Sequence, residues 1–178
     1  MTARTGRDAR AELSITYTIV DSPVGMLLVG VTDKGVCSVE MGDTEEAALE
    51  AAVIEFPSAE WVRDDRAVAA EAAVVAKLAA GEKLLATVPL DLIGTEFQRR
   101  VWTELTKIPR GKTASYSEIA SKIGEPAASR AVAGACAANH VAVVVPCHRV
   151  VRADGGLGGF RGGVERKRQL LESEQRAD

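Results

Sequence analysis

The sequence predicts an α+β fold, with strands and helices in the first half packed against a mostly helical second half. Residues 15–41 contain three short strand patterns separated by turn residues, and two helix patterns follow them. Beyond residue 92, apolar residues recur at helical spacing and two capping-box pairs mark helix starts. With 178 residues, of which 47% are hydrophobic, the chain can bury a substantial core.

The first half is predicted to be a small α+β unit. The strand stretches are "ITYTIV", "MLLVGV" and "VCSVEM", separated by the turn stretches "DSPVG" and "TDKG". Asp43 or Thr44 can cap a helix that runs to about Phe56, where Pro57 ends it. The Ala-rich stretch "DDRAVAAEAAVVAKLAAG" predicts a second helix, which ends at Gly81. This half contains no catalytic constellation, so we expect it to have a supporting role.

The second half is predicted to follow a short connection at residues 86–94 and to contain a helix-turn-helix. Thr95 with Gln98 and Ser115 with Glu118 fit capping boxes, and the helix that Ser115 opens ends at Gly124. The short join favours two subdomains that pack together. We expect a disordered tail at residues 1–14, a first domain at 15–91 and a second at 92–178.

The second helix of the helix-turn-helix has an unusual composition, "AASRAVAGACAAN". Pro126 suits its first turn, and Asn139 follows its end, where a left-handed residue is often needed. A helix that reads the major groove carries long polar side chains, whereas small ones permit close approach to a narrow minor groove. The alternative is that the alanines are buried between helices, which explains Arg130 less well. The residues predicted to face DNA are Arg130, Ala131, Gly134 and Ala137.

The run Val141–Val145 is β-branched and predicts a short buried strand, which Pro146 ends. Cys147 should then lie at the mouth of a cleft. The loop "RADGGLGGFRGG" follows, and its glycines let the backbone come close to a ligand. A last helix, "VERKRQLLESEQR", places Glu174 on its apolar face with Leu170, where a carboxylate needs a partner.

Cys147 and His148 form a candidate nucleophile and base. A free cysteine has a pKa of about 8.5, so a thiolate at neutral pH needs a base nearby. His148 could provide that base directly or through a water molecule, and Glu174 could orient its imidazole. From spacing alone, the dipeptide is a weak signal, and a buried structural cysteine beside a surface histidine is the more common arrangement.

The charge is divided unevenly along the chain. Residues 1–91 contain 8 Lys and Arg and 16 Asp and Glu, whereas residues 92–178 contain 14 and 9. A basic second half fits a polyanion as partner, and the alternative is a solvated surface with uneven charge. No apolar run reaches the roughly 20 residues of a membrane span, and no signal peptide is recognisable, so we expect no membrane association and a cytoplasmic location.

Cysteine and histidine are too few for a disulfide framework or a structural metal site. The chain has three cysteines and two histidines, without a CxxC pair. A structural zinc site usually requires four such ligands at close spacing. We therefore expect no metal, and the sequence indicates no cofactor.

The sequence resembles the O6-alkylguanine-DNA alkyltransferases. The resemblance rests on "VPCHRVV", "SRAVAGACAAN" before it, and "GGFRGG" and "KRQLLESE" after it, and extends over about residues 15–176 through "YTIVDSPVGMLLVG" and "GTEFQRRVW". It is strongest to the C-terminal alkyltransferase part of the bacterial adaptive-response regulator. It implies an RNase H-like first domain, a winged-helix-like second domain, and a monomer that repairs double-stranded DNA from the minor groove without an obligate protein partner.

The resemblance also implies site roles. Cys147 would irreversibly accept the alkyl group of a flipped O6-alkylguanine, and possible action on O4-alkylthymine is left open. His148, through a water molecule, and Glu174 would form the thiolate, and Asn139 would brace the turn before Cys147. Arg130 would fill the gap that the flipped base leaves. The remaining implied residues contact the base: Tyr116 would hydrogen-bond it and help expel its sugar-phosphate, backbone groups near Val150 and Arg161 would read its edges, and the ring of Phe160 would pack on it.

The chain departs from the family pattern at three places. Phe160 stands where tyrosine is usual, which removes one hydroxyl near the pocket. The zinc ligands of some vertebrate relatives and the cysteine-rich phosphotriester-repair domain of the regulator are not recognisable. We therefore expect neither zinc binding nor methylation-switched activation. Two other functions stay open from the residues alone: a non-catalytic sensor of alkylated DNA or helix-turn-helix regulator, and a cysteine hydrolase that turns over an ester.

Overall fold

The computed structural model describes residues 13–85 and 87–176. The predicted tail therefore lies outside the described residues, except at its end. There Leu13 is buried and Ser14 begins the first strand, so this strand starts one residue before the predicted domain boundary. The division into two domains at residues 91 and 92 stays a prediction.

The first half is built on a four-stranded sheet with the order β3-β2-β1-β4. The three predicted strands are confirmed as β1 (Ser14–Val20), β2 (Met26–Thr32) and β3 (Gly35–Gly42), which pair antiparallel as a meander. A fourth strand, β4 (Glu60–Arg63), pairs parallel with β1 and was not predicted. It has only four residues, three of them exposed, so it lacks the alternation that identifies a strand in a sequence.

Both predicted helices of the first half are present. Helix α1 (Glu45–Glu55) begins at Thr44, whose hydroxyl accepts a hydrogen bond from the amide of Ala47. Helix α2 (Ala69–Ala79) is followed by Gly81, which has a φ of 82°. The two helices pack against the sheet through small apolar residues, and the mixed α/β character predicted for the chain is confirmed.

In the described part of the second half there are four α-helices, one 3₁₀ turn and one two-stranded ladder. Helix α3 (Glu96–Leu105) and helix α4 (Tyr116–Lys122) each begin with the predicted capping box. They are followed by α5 (Ser129–Ala137) and α6 (Val164–Arg176), and the bounds of α6 agree with the predicted helix. Strands β5 (Ala114–Ser115) and β6 (Val150–Val151) pair in parallel.

Three local predictions in the second half are wrong. Residues 141–145 form a turn and not a strand, and Val143 has a φ of 71° inside it. That left-handed conformation is strained for a β-branched residue, so tertiary contacts must impose it. Pro126 lies in a turn before α5 and not in its first turn, because the helix begins only at Ser129. Asn139 does not have a positive φ, so it is not the left-handed residue that was predicted after the end of α5.

Strand β3 joins the two halves. Its outer edge receives a hydrogen bond from the amide of Ala142, and Val39 donates one to the carbonyl of His140. Further along the same strand, Val36 exchanges backbone hydrogen bonds with residues 89 and 91 of the connection. An edge strand that would otherwise expose unpaired backbone groups is thereby covered. The turn that precedes Cys147 is consequently fixed to the sheet of the first half.

Candidate active site

Cys147 lies at the wall of a small cavity between the two halves. It begins a single 3₁₀ turn (Cys147–Arg149) and has an exposed fraction of only 5%. The cavity has a volume of about 60 Å³, which is room for a few water molecules and too little for a purine. It is lined by Glu40, Met41, Ala51, Asn139, Ala142, Cys147, Phe160, Arg161 and Gly162. Cys147 therefore lies on a cavity, but it is buried inside it and not at the open mouth that the sequence predicts, and a turn and not a strand leads to it.

His148 and Glu174 form the hydrogen-bonded pair that the sequence predicts. The Nε2 atom of His148 lies 2.8 Å from a carboxylate oxygen of Glu174, and both side chains are buried. Burial lowers the pKa of His148, which favours the neutral imidazole. Because Nε2–H then donates to Glu174, the other nitrogen carries a lone pair. That Nδ1 atom is buried and has no hydrogen-bond partner within the described part of the chain.

Arg149 keeps Glu174 ionised. Its guanidinium donates to both carboxylate oxygens, at 2.7 to 3.2 Å, and to the carbonyl of Ile108. Burial alone would raise the pKa of Glu174, but the hydrogen bonds from His148 and Arg149 lower it to about 2. This role of Arg149 was not predicted from the sequence, although the residue lies in the same short stretch as Cys147 and His148.

Asn139 braces the turn that carries Cys147. Its amide nitrogen donates to the carbonyl of Val145 and, at 3.1 Å, to the sulfur of Cys147, while its oxygen accepts from the amide of Val141. These three bonds hold both ends of the five-residue turn at 141–145, which consists of four valines and one alanine. They also explain why this stretch does not extend into a strand.

Burial and the neighbouring polar groups have opposite effects on the pKa of the Cys147 thiol. Burial raises the pKa of its thiol, whereas the Asn139 amide, Lys167 and Arg161 act to lower it. The closed cavity thus favours the thiol, in contrast to the thiolate that the sequence analysis expects at neutral pH. Lys167 is fully buried, donates to the carbonyls of Val150 and Gly159, and was not predicted. Its spacing from the inward-facing Leu170 and Glu174 could have indicated it.

Of the four residues expected to contact the base, Phe160 and Arg161 line the cavity, whereas Tyr116 and Val150 do not. Tyr116 begins α4, and Gly158 packs so closely on its hydroxyl that a Cβ at that glycine would lie 2.7 Å away. Burial and the nearby thiols raise the pKa of Tyr116, so its hydroxyl stays a hydrogen-bond donor. Val150 is buried, its amide donates to the carbonyl of Cys147 and its carbonyl accepts from Lys167.

The side of α5 that the sequence predicts to face DNA is exposed. The buried residues of this helix are Val132, Ala135 and Cys136, and they lie on its other side. Nothing lies within 4 Å of the position that a Cβ would take at Gly134. The exposed residues are Arg130, Ala131, Gly134 and Ala137. Burial between helices explains Ala135, whereas contact of the exposed face with DNA stays a prediction.

The described residues contain neither a cluster of metal-binding side chains nor a membrane-spanning helix. Within residues 13–85 and 87–176, no group of three or more His, Cys, Asp or Glu side chains could hold a metal ion. No helix in the described part of the chain is long and apolar enough to cross a membrane.

Comparison with known proteins points in one direction. Residues 96–176 match the family model described as "6-O-methylguanine DNA methyltransferase, DNA binding domain". The regulatory protein Ada of Salmonella typhimurium is 42% identical over 174 residues, which are 98% of this chain and 49% of that protein. The chain thus spans about half the length of this relative. A methylated-DNA–protein-cysteine methyltransferase of Mycolicibacterium paratuberculosis is 43% identical over 162 residues, 91% of this chain and 93% of that protein.

The similarity extends to three dimensions. The crystal structure of Mycobacterium tuberculosis OGT in complex with DNA superposes with a TM-score of 0.77 at 39% identity. The match covers 91% of this chain and 94% of that one, so it includes both halves. With sequence identity above 40% over nearly the whole length of a curated relative, the chain belongs to the methylated-DNA–protein-cysteine methyltransferase family.

Proposed function

We propose that this protein repairs DNA by direct reversal, by transferring the alkyl group of O6-alkylguanine to Cys147. The proposal rests on one arrangement. Cys147 lines the cavity, and the next residue, His148, is hydrogen-bonded to the ionised Glu174. A neutral imidazole oriented by a carboxylate is the arrangement that activates a nucleophile. Family membership supplies the substrate class.

The transfer is a displacement at the alkyl carbon. The bond from the sulfur of Cys147 to that carbon forms as the bond from the carbon to O6 of guanine breaks. Because burial favours the thiol, its proton must leave as the reaction proceeds, through a water molecule to the free lone pair of His148 Nδ1. The departing guanine takes up one proton from solvent, and His148 returns the thiol proton to solvent, so overall the alkyl group and one proton exchange partners. The hydroxyl of Tyr116 donates a hydrogen bond to the leaving base.

Asn139 and Lys167 stabilise the sulfur as its negative charge develops. The amide of Asn139 already donates to the sulfur at 3.1 Å, and the ammonium of Lys167 lowers the pKa of Cys147 through space. Both groups are fixed by other hydrogen bonds, so they need no reorganisation during the reaction. The resulting thioether is stable, and nothing at the site can cleave it, at least among the described residues. Each molecule therefore acts once.

The exposed small-residue face of α5 docks in the minor groove. Chemistry on a base requires that the base leave the stack, at a cost of a few kcal/mol. Arg130 projects from the first turn of α5 and would fill the gap, while Ala131, Gly134 and Ala137 let the helix backbone approach the groove. The second lone pair of the Val150 carbonyl, the backbone of Arg161 and the ring of Phe160 would receive the base.

We also retain the finer expectations of the sequence. The first half is proposed to be RNase H-like and the second winged-helix-like, and the protein is proposed to act as a monomer in the cytoplasm. Three free cysteines fit a reducing compartment. Activation of transcription, which the name of an Ada relative in Escherichia coli includes, is not proposed for this chain, which spans about half of that relative.

A titration distinguishes the three candidate functions. Increasing amounts of duplex DNA containing O6-methylguanine are added to a fixed amount of protein, and repaired guanine is counted. An alkyltransferase stops at one equivalent per protein molecule. A non-catalytic sensor repairs none, and a hydrolase turns over an ester continuously. Replacement of Cys147 by alanine should abolish repair while the protein still binds DNA. Wild-type protein that binds the duplex without repairing it would refute the proposal.

A further inference from the structure

Arg161 connects the base-binding loop to two carboxylates of the first half. One of its terminal nitrogens lies 3.1 Å from Glu40 on β3 and 3.1 Å from Glu55 at the end of α1. The loop itself is rich in glycine, and Gly158 and Gly163 adopt positive φ angles in it. The ion pairs therefore connect a glycine-rich loop to the sheet and to α1.

The tie to Glu40 is incomplete. The carboxylate oxygen of Glu40 that faces Arg161 is buried and makes no hydrogen bond of good geometry, and the second terminal nitrogen of Arg161 is likewise unsatisfied within the described residues. Buried polar groups without full hydrogen bonding are costly, so they usually mark a place where something else must bind or move. Burial raises the pKa of Glu40 to about 7, with Arg161 opposing this and Glu55 adding to it.

Glu40 and Arg161 also line the small cavity at Cys147, here called the acceptor cavity. Glu40 and Met41 are the part of its wall that comes from β3, and Phe160, Arg161 and Gly162 are the part that comes from the loop. At about 60 Å³ the cavity cannot contain a purine. A base can reach Cys147 only if these two parts of the wall separate, and the ion pairs of Arg161 join them.

We propose that Glu40 and Glu55 are positioning residues, which hold the base-binding loop closed over Cys147 through Arg161 until a flipped base displaces it. The proposal rests on the proposed alkyl transfer and assigns a task to the first half, for which the sequence indicated only a supporting role. The closed state keeps Cys147 away from other electrophiles. The open state places the Arg161 backbone beside the base.

A second ion pair between the halves offers a matched control. Arg166 on α6 donates to Asp43 and to the carbonyl of Val24. Asp43 is highly exposed and does not line the acceptor cavity. If ion pairs between the halves act only as structural cross-links, Asp43→Asn should affect the reaction as much as Glu40→Gln.

The test measures the rate of methyl transfer from free O6-methylguanine base, between pH 6 and pH 8.5, for the wild type, Glu40→Gln, Glu55→Gln and Asp43→Asn. The free base needs no flipping from a duplex, so its rate reports access to Cys147. We expect the transfer rate of Glu40→Gln, divided by that of the wild type, to rise from near one at pH 6 to about five above pH 7. The reason is that only ionised Glu40 holds Arg161 tightly. The ratio for Asp43→Asn should stay near one throughout.

Glu55→Gln distinguishes closure of the loop by Arg161, here called the gate, from a direct electrostatic effect of Glu40 on the sulfur of Cys147. The charged groups facing Glu40 are Arg161 and Glu55, with the Cys147 thiol across the cavity, and His140 lies 3.9 Å from Glu55. Removing the charge of Glu40 could therefore also acidify Cys147, whereas Glu55 does not line the cavity. Faster transfer by both variants supports the gate. Acceleration by Glu40→Gln alone, or a ratio without pH dependence, would overturn it.

Each outcome can be assigned. Glutamine keeps the shape of glutamate, and thermal unfolding of every variant shows that it is folded before its rate is compared. Absence of methyl transfer by the wild type contradicts the proposed function. Normal transfer by the wild type, with both glutamine variants unchanged, contradicts the gate alone.

Discussion

Replacing Glu174 with glutamine would remove the charge from the hydrogen-bonded pair of His148 and Glu174, here called the relay. The shape of the side chain would stay nearly unchanged. In the folded protein the pKa of Glu174 falls from 4.5 to about 2. That difference corresponds to about 3 kcal/mol of stability. Because the folded-state pKa is lowered, this stability is fully present above pH 4.5 and is lost as the pH falls toward 2. We therefore expect the variant to be about 3 kcal/mol less stable at neutral pH, with the difference narrowing at acid pH.

The rate of alkyl transfer should fall with the same substitution. Without the carboxylate, a protonated His148 loses its stabilising partner, so Nδ1 becomes a weaker base. General-base assistance is worth a factor on the order of 100 or more, and we expect a loss of that order. The assay is single-turnover transfer from a methylated duplex, under conditions where denaturant curves show that the variant is folded.

Glu172→Gln is the matched control for this prediction. Glu172 lies on the same helix, is exposed and pairs with Arg176. An exposed pair at this spacing contributes at most about 0.5 kcal/mol, so both stability and rate should stay near those of the wild type. A folded Glu174→Gln protein that transfers the methyl group at the wild-type rate would refute the relay.

Three further substitutions test other parts of the site. Arg130→Ala should slow repair of duplex DNA far more than reaction with the free base, since only the duplex requires flipping; equal slowing of both would contradict the wedge role. Gly134→Leu should preserve or slightly raise thermal stability, because nothing lies within 4 Å of its Cβ position, but should weaken duplex binding about tenfold or more; unchanged binding would exclude this face from the interface. Lys167→Met should shift the pH–rate profile for the free base to higher pH, as the thiol loses a neighbouring cation; a superimposable profile would show that Lys167 is only structural.

Local chemistry explains which elements the sequence could predict. The starts of α3 and α4 were predictable because a capping box is complete within four residues. The inward position of Glu174 followed from helical periodicity, and its burial confirms that reasoning. The exposed face of α5 was predictable in the same way, from small residues that recur around Arg130.

Remote contacts explain what the sequence could not predict. The turn at 141–145 has the composition of a strand, but Asn139 and the edge of β3 bind its backbone and bend it. Glu40 is one of several acidic residues in the first half, and nothing near it in the sequence distinguishes it. Only the pairing of β3 with residues 140–142 brings it to the wall of the acceptor cavity.

The most direct test of the account is to find which sulfur carries the alkyl group. The protein is incubated with one equivalent of duplex DNA containing O6-methylguanine, digested, and sequenced by fragmentation mass spectrometry. We predict a single added methyl group on the peptide that contains Cys147, and none on the peptides of Cys37 and Cys136. An unmodified Cys147 after complete repair, or a methyl group on either of the other two thiols, would contradict the central claim.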